Sequence, residues 1–135
     1  MNLVVDTSVW SLVLRRPRVD EANIHVLAFR THLESNNRLF LIGSILQELL
    51  DGLRSTAQLD RLVQVLEPFP LLEVDRSTYA AAAKLRTMCR TKGVSAGPID
   101  FLIAAACSRH GYPLLTADQD FVRIAKHCDL IVLPK

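Results

Sequence analysis

The chain has 135 residues, half of them hydrophobic, and a formal net charge of +2 at pH 7. This length suits a single domain spanning residues 1–135, and three cysteines without a Cys-x-x-Cys pair argue against a disulfide framework or a zinc knuckle. No apolar run reaches the roughly 18 residues of a membrane span and the start shows no cleavable leader, so we expect a soluble, cytoplasmic protein.

Five short apolar runs alternate with longer segments that have helical spacing. The apolar runs occupy residues 3–5, 39–42, 71–74, 112–115 and 130–133. The helical segments occupy residues 8–15, 20–36, 44–53, 56–66, 76–91, 98–110 and 118–127. This alternation predicts an α/β fold with a mainly parallel sheet, whose functional groups lie at the carboxyl ends of the strands. The fifth run is also compatible with an edge strand, because Pro134 follows it.

Several helical segments carry a start signal. Ser44 with Gln47, and Thr116 with Gln119, match the capping-box pattern, while Pro98 suits the first turn of a helix. We therefore expect helices to begin at these places.

Asp100 is the sharpest functional signal among the acidic residues. It lies in a segment, residues 99–107, that is otherwise apolar on every face and is therefore expected to be buried. A buried carboxylate needs a partner, because an unpaired buried charge costs several kcal/mol. Metal ligation would explain both the charge and the burial. A structural role stays open, since the helix dipole favours an acid in the first turn.

Four other acidic residues are candidates for the same site. Asp6 ends the first apolar run, and Asp118 and Asp120 follow the fourth, at the predicted carboxyl edge of the sheet. Each of these three is also suited to capping a helix; Asp118 is preferred as a ligand and Asp120 is the reserve. Glu48 lies off the centre of an apolar helical stripe, so it is either a solvated glutamate or faces a cleft.

These acids point to a metal site if they share one edge of the sheet. Clustered carboxylates in a low dielectric stay ionised only around a cation, and ligation by oxygen alone selects a hard cation. The sequence therefore predicts Mg²⁺ or Mn²⁺ held by Asp6, Asp100 and Asp118, with Glu48 as a fourth acid.

Four blocks of sequence occur in an order and at a spacing typical of one family. They are VVDTS at 4–8, SxxxELL at 44–50, IDFLIAAA at 99–106 and LLTADQDF at 114–121. Together they resemble the PIN domain, specifically the VapC toxins of toxin-antitoxin pairs, over nearly the whole chain. The resemblance implies a three-layer α/β/α domain with a five-stranded, mainly parallel sheet. It also implies a metal-dependent endoribonuclease site that leaves 5′-phosphate and 3′-hydroxyl ends.

The resemblance also implies roles for individual residues. The acidic quartet of the family falls on Asp6, Glu48, Asp100 and Asp118. The residues that match the family's orienting groups, or an additional acid of some members, are Thr7, Ser8, Thr116 and Asp120. Gly97 before Pro98 is a mild departure that affects only the loop beside Asp100.

Basic residues near these acids are candidates for RNA contacts. One group, Arg15, Arg16 and Arg18, follows the first helix. The other lies on or just past the helix that leads to Asp100, and comprises Lys84, Arg86, Arg90 and Lys92. Either group could bind phosphates with salt-sensitive affinity, and a merely solvated basic face is the alternative. Transfer RNA and ribosomal RNA are both open as substrates.

Residues 20–66 contain more apolar positions than one helix face needs, which favours an exposed groove. Family likeness implies that a VapB-like antitoxin packs there and silences the enzyme, that the chain forms homodimers, and that the source is prokaryotic. Trp10 belongs either to an interface or to the core.

Two other functional classes compete with this interpretation. In a non-catalytic α/β module for RNA binding or regulation, the acids would be caps and solvated charges and would bind no metal. A phosphotransfer protein with Asp6 as phosphoacceptor is disfavoured, because Ser8 stands where a haloacid-dehalogenase motif needs a second Asp.

Overall fold

A computed structural model describes residues 1–14 and 18–135 of the chain. Within them, the strands are β1 (Asn2–Val5), β2 (Arg38–Ile42), β3 (Leu71–Leu72), β4 (Leu114–Leu115) and β5 (Val132–Leu133). The helices are α1 (Thr7–Val13), α2 (Ile24–Glu34), α3 (Gly43–Asp51), α4 (Thr56–Leu66), α5 (Arg76–Thr91), α6 (Pro98–His110) and α7 (Gln119–Ala125). The candidates Arg15 and Arg16 lie outside the described residues.

The five strands form one sheet with the order β3-β2-β1-β4-β5, and every pairing of neighbouring strands is parallel. The chain runs outward from β1 through β2 to β3, then crosses back to β4 and continues to β5. This reversal lies between β1 and β4, where the carboxyl ends of parallel strands leave a crevice for ligands. The expected α/β fold with a parallel sheet is confirmed, and β5 is an edge strand.

Most of the central strand β1 and the middle of helix α6 are buried, which explains their continuous apolar sequences. Leu3, Val4 and Val5 of β1 are fully buried, and residues 101–107 of α6 are buried without interruption. Strands covered by helices on both faces are typically apolar throughout. Among the described residues, no helix combines the length and apolar character needed to cross a membrane.

Trp10 belongs to the core. Its side chain is buried, and its ring packs edge-on against Phe29 and Phe69, with ring centroids 5.2 and 5.0 Å away. Edge-to-face packing at this spacing is favourable between aromatic rings. The alternative of an interface role for Trp10 is therefore not needed.

The starts of three helices test the expected signals. The capping box predicted at Ser44 is wrong, because β2 runs directly into α3 and the helix begins at Gly43. Ser44 therefore lies inside the first turn, and its buried hydroxyl has no partner among the described residues. Helix α2 begins later than its apolar pattern, because Asn23 accepts two backbone N–H groups as the cap. The start of α6 at Pro98 is confirmed.

Candidate metal centre

Asp6 lies at the reversal of the sheet, directly after β1. Its backbone N–H donates to the carbonyl of Leu115 at 2.9 Å, so β1 and β4 end side by side. Its side chain is only 6% exposed and caps α1 by accepting the N–H of Ser8 at 3.3 Å. Capping is thus one of its roles, but further contacts surround the same carboxylate.

Two hydroxyl groups fix the Asp6 carboxylate. Ser8 Oγ donates to Asp6 Oδ2 at 2.7 Å, and Thr116 Oγ1 donates to the same oxygen at 2.9 Å. Ser8 Oγ also accepts the N–H of Ala117 at 2.9 Å, and Thr116 Oγ1 accepts the N–H of Asp118 at 3.0 Å. The network joins the loop after β1 to the loop after β4. It leaves Asp6 Oδ1 without a hydrogen-bond donor in the described part of the chain.

Asp100, Asp118 and Asp120 form what we term the acidic cluster. One oxygen of each carboxylate lies within 4.8 Å of the others, and all three residues are partly buried. Asp118 is the N-cap of α7 and accepts the N–H of Asp120 at 2.9 Å, so the capping box expected at Thr116 is wrong. Asp100 lies in the first turn of α6 and accepts the N–H of Gly97 at 3.3 Å.

The surroundings of Asp100 are less buried than its sequence indicates. The neighbouring Ile99 is 48% exposed, although residues 101–107 of the same helix are buried as expected. This partial exposure opens the acidic cluster to solvent, since α6 has only just begun at this point.

The pKa of Asp100 lies above the ordinary value for an aspartate. Partial burial is the main cause; the N–H of Gly97 lowers the pKa, and the negative charges of Asp118, Asp6 and Asp120 raise it. Asp6 is therefore close enough to act electrostatically on the acidic cluster. It nevertheless lies outside the group whose oxygens meet within 4.8 Å.

Glu48 reaches the site through a hydrogen bond rather than through the acidic cluster. It is exposed on α3, and its Oε2 accepts the hydroxyl of Thr7 at 2.8 Å. Because Thr7 directly follows Asp6, this bond holds the glutamate beside the loop after β1.

The donor chemistry of the acidic cluster fits a hard divalent cation. Mg²⁺ and Mn²⁺ prefer carboxylate oxygens, and Mg²⁺ commonly takes a few carboxylates together with water. Without a counter-charge, three carboxylates this close repel one another. The sequence placed Asp6 rather than Asp120 among the ligands; in the structure the first turn of α7 carries Asp120 back beside Asp118.

Arg123 is a member of the site that the sequence analysis missed. Its guanidinium forms an ion pair with Asp120, one turn earlier on α7. The sequence contains a signal for this ion pair, because Asp120 and Arg123 are an acid and a base at positions i and i+3 of a predicted helix. This spacing puts both side chains on one face of the helix. A basic side chain therefore lies directly against the acidic cluster.

The basic end of α5 lies on the same side of the domain as Asp100. Arg109, near the end of α6, donates to the hydroxyl of Ser77, near the start of α5, at 2.7 Å. The two helices are therefore antiparallel, and the end of α5 lies beside the start of α6. The exposed basic residues at this end are Arg86, Arg90 and Lys92.

Known proteins resemble this chain in both sequence pattern and fold. The family model of the PIN domain matches residues 3–127. A chain of VapBC2 from Rickettsia felis superposes with a TM-score of 0.76 at 21% identity, covering 98% of this chain and 97% of that one. FitAcB from Neisseria gonorrhoeae gives 0.72 at 25% identity, covering 99% and 97%. VapBC-1 from nontypeable Haemophilus influenzae gives 0.74 at 22% identity, covering 98% and 96%. Among curated protein sequences, none matches significantly.

Proposed function

This chain belongs to the PIN domain family, whose members are generally nucleases, and from that membership we propose that it is a metal-dependent endoribonuclease acting as the toxin of a toxin-antitoxin pair. It hydrolyses phosphodiester bonds of transfer or ribosomal RNA to 5′-phosphate and 3′-hydroxyl ends and so inhibits translation. The observation that carries the proposal is the convergence of Asp100, Asp118 and Asp120 beside Asp6, at the reversal of the sheet.

The residues that would hold Mg²⁺ or Mn²⁺ are Asp6, Asp100, Asp118 and Asp120. When bound, such a cation lowers the pKa of water and offsets the charge that develops on phosphate oxygens. Ser8 and Thr116 keep the Asp6 carboxylate in one orientation, with Oδ1 left for ligation. Glu48, oriented by the hydroxyl of Thr7, accepts a hydrogen bond from the attacking water.

The basic end of α5 supplies the contacts to the RNA backbone in this proposal. Arg86, Arg90 and Lys92 are exposed, and they lie at the end of α5, from which a short loop leads to the start of α6 and Asp100. Phosphate contacts of this kind contribute to the affinity for RNA but do not recognise its base sequence.

An open apolar groove supports the antitoxin part of the proposal. Its volume is about 520 Å³, and it is lined by Val13, Leu14, Val19, Leu53, Gln58, Arg61, Leu62 and Val65. VapBC-5 from Mycobacterium tuberculosis, which matches with a TM-score of 0.70, is described as a member of the VapBC family of toxin-antitoxin systems. We propose that an amphipathic segment of a VapB-like antitoxin packs in this groove, and that the toxin forms a homodimer in a prokaryotic cytoplasm.

The competing hypothesis is a non-catalytic α/β module that binds RNA or regulates another protein. It accounts for Asp6 and Asp118, because both cap helices. It also accounts for single contacts of Asp100, which accepts the N–H of Gly97, and of Asp120, which pairs with Arg123. It does not account for the gathering of three carboxylates whose oxygens lie within 4.8 Å of one another. The metal-dependent function is therefore the better explanation.

Cleavage of end-labelled RNA by the purified chain tests the proposed function. We expect cleavage with Mg²⁺ or Mn²⁺, loss on addition of chelator, and products with 5′-phosphate ends. Asp100→Asn and Asp6→Asn should each slow cleavage by roughly 100-fold, since each removes a charge from the site, with an unchanged circular dichroism spectrum. Asp60→Asn, at an exposed position of α4, is the matched control. Wild-type rates in both site variants would overturn the proposal.

A further inference from the structure

The ion pair between Arg123 and Asp120 is not explained by metal ligation alone. In the described part of the chain, Arg123 is the basic residue that pairs with a member of the acidic cluster, whereas the other ion pair joins Arg30 to Glu21. The charged side chains that act on the pKa of Asp100 are all acidic. Arg123 is therefore the counter-charge of Asp120 within the acidic cluster.

The first turns of α7 hold Arg123 where it contacts the acidic cluster and also faces solvent. Asp118 caps the helix and accepts the N–H of Asp120, which fixes the position of Asp120. Arg123 follows one turn later, and its side chain is 53% exposed. A guanidinium carries five N–H donors, and Asp120 is its hydrogen-bond partner among the described residues. The remaining donors are open to a ligand from solvent.

We propose that Arg123 neutralises Asp120 in the metal-free protein and binds the substrate phosphate once a divalent cation is held by the acidic cluster. The inference rests on the proposed metal-dependent function. Arg123 and a cation compete for the negative charge of the same carboxylate. A cation held by Asp120 would reduce the negative charge that this carboxylate offers to the guanidinium and so weaken the ion pair. The guanidinium of Arg123 would then be free to donate two parallel hydrogen bonds to two oxygens of a phosphodiester, a bidentate contact that arginine commonly makes.

Calorimetric titration of the full-length chain with Mn²⁺, alongside RNA cleavage kinetics, tests this inference. Arg123→Gln removes the competing charge, so its affinity for Mn²⁺ should increase roughly threefold. The same variant loses a charged phosphate contact, so its kcat/KM for RNA should fall roughly tenfold. A purely structural role for Arg123 would instead weaken Mn²⁺ binding and cleavage together.

Two further variants separate charge from geometry. Arg123→Lys keeps the positive charge but loses the planar guanidinium. It should therefore bind Mn²⁺ like the wild type and still show a raised KM for RNA. Arg30→Gln removes an equal charge from the other ion pair and should change neither quantity. An unchanged or weaker affinity of Arg123→Gln for Mn²⁺, or an unchanged kcat/KM, would overturn the inference. If the wild type binds no Mn²⁺ at all, the proposed function fails first, and the role of Arg123 falls with it.

Discussion

At the scale of single residues, Thr116 connects the two acidic loops of the site. Its hydroxyl donates to Asp6 Oδ2 and accepts the N–H of Asp118, and the residue is buried. A hydroxyl fills both roles at once, which an apolar side chain of the same shape cannot do. The Asp6 carboxylate and the backbone of Asp118 are therefore held by this one oxygen.

Replacing that hydroxyl should damage stability and activity together. Thr116→Val leaves the N–H of Asp118 unpaired and removes one of the two hydroxyl donors to Asp6 Oδ2, so the free energy of unfolding should fall by about 1–3 kcal/mol in urea titrations. RNA cleavage should slow by roughly tenfold, because groups that orient metal ligands commonly have effects of this size. Thr116→Ser keeps the hydroxyl and should cleave at close to the wild-type rate. Full activity of the valine variant would rule out an orienting role.

Sequence reasoning indicated part of the candidate site, because certain acidic residues contrast with the apolar residues around them in the sequence. Asp100 is conspicuous as a charge in an apolar helix, and Asp6 because it ends a buried strand. The pairing of Asp120 with Arg123 was not found, because acids and bases three residues apart are common on exposed helices. Only the folded turn shows that this pair lies against the acidic cluster.

At the scale of secondary-structure elements, the start of α5 shows how a cap couples a helix to pH. Asp75 accepts the N–H of Thr78 at 2.9 Å and its hydroxyl at 2.8 Å, and the hydroxyl of Ser77 at 2.8 Å. These hydrogen bonds, led by that from the Thr78 hydroxyl, lower the pKa of Asp75 from 3.8 to about 2. The ionised carboxylate is therefore the form that the folded helix favours.

The sign of this pKa shift fixes its effect on stability. Because the folded pKa lies below the unfolded value, Asp75 stabilises the fold above the unfolded pKa of 3.8, and this contribution is lost as the pH falls through about 2. The difference in free energy of unfolding between wild type and Asp75→Asn should therefore shrink from about pH 6 to about pH 2.5 in urea titrations. Asp129→Asn, at an exposed position, is the control. A difference that is constant over this range would contradict the assignment.

The predicted bounds of three helices agree with the structure, whereas the predicted start of one helix does not. Helices at 56–66, 76–91 and 98–110 begin and end where the sequence indicates; Pro98 was the expected start signal of the third, and the structure shows Ser55 and Asp75 as the N-caps of the other two. The start of α3 was misplaced, because the chain passes from β2 into the helix without a loop. That geometry depends on strand pairing, which local sequence does not specify.

At the scale of the whole molecule, α1 connects the acidic site to the apolar groove. Its N-cap is Asp6, and its last residue, Val13, lines the groove. A helix of this length spans roughly 10 Å, so a partner seated in the groove would lie close to the carboxylates. Under the proposed function, this proximity is a physical reason why an antitoxin in the groove would reduce nuclease activity.

A charge placed in the groove should separate partner binding from catalysis. Val65 is 53% exposed on α4 and lines the groove, so Val65→Glu should keep the fold and the RNA cleavage rate. Its affinity for the proposed VapB-like antitoxin should fall by roughly tenfold or more, since burying an unpaired charge in an interface is costly. Ile131→Glu, at an exposed position before β5, is the control. Equal antitoxin affinity of Val65→Glu and wild type would place the partner elsewhere.

The location of a bound metal ion tests the central claim most directly. Crystals of the full-length chain grown with Mn²⁺ should show an anomalous scattering peak about 2 Å from carboxylate oxygens of Asp100 and Asp118, with Asp120 or Asp6 next to it. The same experiment on Asp100→Asn should show a weakened peak or none. A wild-type crystal whose Mn²⁺ peaks all lie away from these carboxylates would contradict the account.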